Sequence, residues 1–203
     1  MAAMSRTAQT LPARFVLLWA VATAIGLSVS LAGITYVIVV FIALVWEGET
    51  GVFAYAISAA LALALATPLG ISQWLVLRRT RLEIRFWIPA TTIGFVAGLP
   101  PVLAFLLGPP TPGVSGAAGL GALLGAPIGI AQWLILRRRI NNSALWILGT
   151  TGAGAAAFAL VVSALDSPTV SYLSAALLLA SALFGSATGL LFRRLVTDSP
   201  GGE

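Results

Sequence analysis

Two glutamines stand inside long uncharged, apolar runs of this chain. Gln73 lies in Gly70-Ile-Ser-Gln-Trp-Leu-Val-Leu-Arg-Arg79, and Gln132 in Gly129-Ile-Ala-Gln-Trp-Leu-Ile-Leu-Arg-Arg138. A worn third copy, Gly185-Ser-Ala-Thr-Gly-Leu-Leu-Phe-Arg-Arg194, puts Thr188 at the same place. A carboxamide gives and accepts hydrogen bonds but does not titrate, so its chemistry is recognition and not acid–base work. In lipid such a group either bonds a neighbouring helix or lines a polar pathway.

The missing residue types narrow the chemistry further. The chain has no cysteine and no histidine, and its eleven basic residues are all arginine. Disulfides, thiolate metal sites and cysteine nucleophiles are excluded. So is the commonest general base and metal or haem ligand. No Asp, Glu, Lys, Arg or His interrupts the apolar runs, whereas proton-coupled carriers and voltage sensors ordinarily place one there. Intramembrane hydrolysis needs a nucleophile with a base, or paired carboxylates. The expectation is no catalytic residue, no metal and no cofactor. Gly-rich stretches such as Gly149–Gly154 follow no strand and open no phosphate loop; they read as close helix packing.

The elements that hold these residues must be membrane helices. Of 203 residues, 59% are hydrophobic and 8% charged, and mean hydropathy is +1.03. A soluble domain carries roughly 25% charged residues to solvate its surface. The net charge of +5 does not point to nucleic acid, because the arginines fall in short clusters beside apolar segments. The uncharged run from Phe15 to Trp46 has 32 residues, far beyond the roughly 7–15 of a signal-peptide core, and reads as a retained first helix. It is long enough to tilt, to break near Ala32-Gly33 or to project outward.

Five more apolar segments follow: about Val52–Leu77, from Phe86, about Val114–Leu136, about Leu145–Leu165 and about Val170–Phe192. The turns between them are Glu47-Gly-Glu-Thr-Gly51, the Arg78–Arg85 loop, Gly108-Pro-Pro-Thr-Pro-Gly113, Asn141-Asn142-Ser143 and Asp166-Ser-Pro168. Stacked prolines deny a helix its backbone donors. With six crossings, every arginine falls on one side, and Glu47, Glu49 and Asp166 fall on the other. Positive charge marks the cytoplasmic face. Both termini are therefore expected in the cytoplasm, with the protein in the plasma or inner membrane.

Residues 68–92 laid over 127–151 match at thirteen of 25 positions, Gln-Trp and Arg-Arg included. Trp19, Thr23 and Gly26 likewise reappear as Trp87, Thr91 and Gly94. The unit is an outbound helix opening Trp-x-x-x-Thr, a tight turn, and a return helix ending Gln-Trp-Leu-x-Leu-Arg-Arg. The expected fold is all-α: six transmembrane helices as three parallel hairpin repeats, over 14–79, 80–139 and 140–194, with tails at 1–13 and 195–203. Repeats of two helices all point the same way, unlike the inverted repeats of many transporters. The pattern resembles a loose group of bacterial multi-pass membrane proteins with repeated Gly-x-x-Gln-Trp-Leu-x-Leu-Arg-Arg units. That resemblance implies the architecture and carries no function with it. The third copy departs from the pattern at Thr188 and Gly189.

Each repeated side chain then has an expected place. On a helical wheel Gln73 falls between Ala62 and Ala66 with Gly70, and Gln132 falls beside Gly121, Gly125 and Gly129. These are small-residue stripes that let helices approach closely. Gln73, Gln132 and Thr188 thus face other helices, as packing hydrogen bonds or as a shallow polar vestibule. They lie about 7.5 Å from the arginines, at 1.5 Å per residue. Trp19, Trp74, Trp87, Trp133 and Trp146 read as an aromatic belt at headgroup depth, with pigment, quinone or sterol binding as the sharper alternative. Pro68 and Pro127 each remove a helix hydrogen bond and should kink their helices. Thr91-Thr92 and Thr150-Thr151 can bond back to the preceding turn. Arg78, Arg79, Arg137, Arg138, Arg139, Arg193 and Arg194 set topology and can hold anionic lipid headgroups. The expected partners are the bilayer, those headgroups, and a second copy or another membrane protein, with no nucleic acid. Three function classes remain: a non-enzymatic scaffold or accessory subunit, a channel or facilitator for a small neutral solute or ion, and a lipid- or pigment-binding protein.

Overall fold

The computed structural model describes residues 11–46, 52–80, 84–106, 113–163 and 170–198. It contains α1 (Ala13–Trp46), α2 (Val52–Leu77), α3 (Trp87–Leu106), α4 (Gly113–Leu136), α5 (Leu145–Ser163) and α6 (Val170–Thr197). The described residues contain no strand, so the all-α reading holds. Four stretches are long and apolar enough to cross a membrane: Ala13–Ser30, Gly113–Leu136, Leu145–Ser163 and Ala175–Thr197. Trp87–Pro100 is a shorter apolar helix. Together they indicate a membrane location. The acidic turn with Glu47 and Glu49, the Pro-rich turn and Asp166 lie outside the described residues.

The first helix is a single rod of 34 residues. It does not break at Gly33. α2 and α4 likewise run unbroken through Pro68 and Pro127. At the chain ends and loops the structure departs from the expected polar tails. Leu11, Ile84, Ile140, Leu195 and Val196 are buried, and α6 continues past its arginine pair to Thr197. The reason is local: the apolar residues at 195 and 196 extend the buried side of the helix beyond the guanidiniums.

Among the described residues, helix backbones come together only in cyclic order: α1 with α2, α2 with α3, α3 with α4, α4 with α5, α5 with α6, and α6 back to α1. The six helices form a closed ring. Glycines set its close approaches, because lipid gives helices no hydrophobic reason to associate and packing must do so. A Cβ on Gly94 would lie 2.6 Å from the Ile128 Cα and 2.7 Å from the Pro127 carbonyl oxygen. A Cβ on Gly26 would meet the Leu69 Cα and the Pro68 carbonyl oxygen, both at 2.9 Å. Each proline thus sits where the outbound helix presses hardest on its return helix.

Candidate functional site: a sealed layer of indoles and amides

The distinctive site is one layer near the arginine-bearing end of the ring. Trp19 of α1, Trp87 of α3 and Trp146 of α5 point inward and are fully buried. Their ring centroids are 5.9, 6.2 and 6.1 Å apart, each pair edge to face, a favoured aromatic geometry. Phe192 of α6 caps the trio, 5.4 Å from Trp19, 6.3 Å from Trp87 and 5.6 Å from Trp146. Leu77, Leu136, Ile84, Ile140, Leu11 and Phe15 close the cluster around them.

A buried indole needs an acceptor for its N–H, and the return helices supply all three. Trp87 Nε1 donates to Gln73 Oε1 at 3.0 Å. Trp146 Nε1 donates to Gln132 Oε1 at 2.9 Å, and Trp19 Nε1 to Thr188 Oγ1 at 3.0 Å. The amide nitrogens turn to the threonines one turn after the tryptophans. Gln73 Nε2 donates to Thr23 Oγ1 at 3.3 Å, and Gln132 Nε2 to Thr91 Oγ1 at 2.8 Å. Gln132 Nε2 also reaches Gln73 Oε1 at 3.2 Å, tying α4 to α2 across the ring. Thr91 and Thr150 donate back to the Trp87 and Trp146 carbonyls, both at 2.9 Å, as their spacing predicted. Thr92 does not follow: its buried hydroxyl has no partner.

These bonds run from α6 through α1, α2, α3 and α4 to α5. They stop between α5 and α6, where the third copy has Thr188 and a hydroxyl replaces the longer amide. Thr188 instead donates to the Phe184 carbonyl at 2.8 Å. Two compensations accompany the change. Phe192 stands where the other copies have Leu77 and Leu136, and Trp19 packs directly on the bare Gly189 backbone. The α5–α6 interface at this level is closed by ring contact between Trp146 and Phe192 and not by a hydrogen bond.

The belt reading of Trp19, Trp87 and Trp146 is therefore corrected. They fill the interior, because a buried acceptor stands opposite each indole N–H. Trp74 and Trp133 are half-buried and lie outside that trio. Each packs under the arginine one turn on: the Arg78 guanidinium is 5.5 Å and that of Arg137 5.3 Å from the ring centroid, a cation–π contact. The two letters of Gln-Trp thus do opposite jobs, one side chain in and one out. Gln73 and Gln132 bond each other and Thr188 stands in the same layer; at 2%, 1% and 1% exposure all three are buried and line no open vestibule.

Arg14, Arg78, Arg85, Arg137 and Arg193 each lie at most five residues from a member of this layer, so they share one end of the ring. Arg193 has no tryptophan to stack on, and its Nε donates to the Leu11 carbonyl at 3.1 Å. Arg79, Arg138, Arg139 and Arg194 are exposed. Among the described residues there is no cluster of His, Cys, Asp or Glu that could hold a metal ion. The residues that sequence reasoning missed are Phe192 and, as hydrogen-bond acceptors between helices, Thr23 and Thr91. Setting the worn third copy against the other two marks Phe192, because only there does an aromatic replace leucine. No family model, characterised protein or solved structure matches the chain.

Proposed function

We propose that this chain is a non-enzymatic integral membrane protein, a scaffold or accessory subunit of a membrane assembly. It is built of three hairpins of like orientation that cross the bilayer six times, with the arginine end and both termini in the cytoplasm. The observation that carries the reading is the saturation of the polar layer. Its indoles, amides and the Thr188 hydroxyl are spent on one another, and four aromatic rings occupy the space between them. A polar group committed in this way holds helices in register. The three indole N–H groups and both amide oxygens are thereby taken up by protein. A channel would need a route through these rings, and a transport cycle would need the network to break and reform.

Helix length supports the six-span reading. At 1.5 Å per residue α2 extends about 39 Å and α3 about 30 Å, against a hydrocarbon core of roughly 30 Å. The same closed ring presents an apolar exterior, with residues such as Leu17, Ile25, Leu148 and Leu179 exposed, on which lipid or a neighbouring membrane protein packs.

Extraction of the tagged chain from its native membrane in a mild detergent tests the role. The expected result is a stoichiometric second membrane protein or a defined oligomer of the chain, by cross-linking and mass measurement. A solitary monomer whose proteoliposomes pass a small solute, with that flux altered by Gln132→Leu, would overturn the scaffold reading in favour of the channel.

A further inference from the structure

Beside the sealed layer, at the arginine end, the surface between the start of α3 and the end of α4 opens into a groove of about 570 Å³ lined by Arg85, Phe86, Leu134, Ile135, Arg138 and Arg139. We infer that this groove is a binding site for one anionic phospholipid of the adjoining leaflet. The inference stands on the bilayer location and is independent of the scaffold role.

Three features carry it. First, the lining is divided by depth as a phospholipid is. Arg138 lies one helical turn beyond Leu134, about 6 Å along the axis, so guanidiniums stand at the rim and apolar side chains below. Phe86 is 69% and Leu134 45% exposed, facing where acyl chains lie. Second, these guanidiniums are exposed and face the groove. Arg78 and Arg137 are stacked on tryptophans and Arg193 bonds a backbone carbonyl, whereas Arg85, Arg138 and Arg139 converge on the groove. A planar guanidinium pairs a phosphodiester through two parallel N–H···O bonds. Third, a related groove in the next repeat shares three of these positions but not the charge pattern. About 590 Å³ opens along α6 among Leu190, Leu191, Arg193, Arg194, Thr197 and Asp198. Leu134, Ile135 and Arg138 correspond to Leu190, Leu191 and Arg194 in the repeat. There the lining includes the Asp198 carboxylate, which repels a phosphate. The charged residues of the described lining of the α3–α4 groove are all arginines; Glu83, two residues before Arg85 in sequence, lies outside the described residues.

Native mass spectrometry of the full chain in detergent, titrated with dioleoylphosphatidylglycerol, tests the site. The expected result is one phosphatidylglycerol bound ahead of the rest. Arg85→Gln, Arg138→Gln and Arg139→Gln, made singly and together as a triple variant, should weaken it about fivefold per guanidinium removed, while Arg194→Gln leaves it unchanged. Dioleoylphosphatidylcholine should not occupy the site, and millimolar inorganic phosphate should not displace the lipid. Helicity and the thermal midpoint report that each variant folds; if the triple variant does not, Arg138→Gln alone against Arg194→Gln carries the comparison. Equal binding by the triple variant, equal binding of the neutral lipid, displacement by free phosphate, or an equal loss in Arg194→Gln would each overturn the assignment.

Discussion

At the scale of single residues, the glutamines are the hinge between sequence and structure. Six hydrogen bonds join side chains of different helices in the layer. Such bonds average about 0.6 kcal/mol in membranes, because the separated helices also find partners. Their value lies more in the cost of breaking one side only. Gln132→Leu conserves volume but strands the buried Trp146 N–H, which costs about 1–3 kcal/mol. Trp146→Phe removes that donor. The double variant should therefore be less destabilised than the sum of the singles, by about 1 kcal/mol, in thermal or denaturant unfolding in detergent micelles. Strict additivity would mean that the two side chains are not paired.

At the scale of helices, close approach is what the repeated glycines provide. Gly94 meets backbone atoms of α4, which cannot move aside as a side chain could. Gly94→Ala should cost about 1–3 kcal/mol, as overpacking does. Gly152, on α5, has open space where its Cβ would stand. Gly152→Ala should be neutral or stabilising by up to about 1 kcal/mol, since alanine is the better helix former. Thermal midpoints of the two variants check this pair, and equal effects would contradict the packing of α3 on α4. The same logic explains the prolines. A missing helix hydrogen bond at Pro68 and Pro127 is tolerated where a glycine of the facing helix lets the two backbones lie against each other.

At the scale of the whole molecule, the ring has one cationic end, and the remaining question is which way it faces. A chain with no cysteine is suited to labelling. Ala144→Cys, in the exposed loop before α5, should react with an impermeant maleimide only after the cell is opened. Ser167→Cys, between α5 and α6 in the sequence, should react from outside. The reverse pattern, or both sites on one side, would remove the six-span topology. Truncation should also be felt at a distance: Leu11 and Phe15 seal the aromatic cluster. Deleting residues 1–15 should lower the thermal midpoint by several degrees and quench or shift tryptophan emission as water reaches the indoles. An unchanged emission spectrum would mean the seal lies elsewhere.

The all-helical class, the near bounds of the six rods, the inward facing of Gln73 and Gln132, and the gathering of the described arginines at one end were all legible in the residues alone. Those follow from solvation: charge cannot stay in hydrocarbon, and a carboxamide there must find a partner. Which tryptophans face in was not. In lipid both sides of a helix are apolar, so no hydrophobic stripe separates core from exterior, and an indole at that depth suits either. Helix packing makes the choice: it sets Gln73, Gln132 and Thr188 opposite Trp87, Trp146 and Trp19 and leaves Trp74 and Trp133 to the arginines.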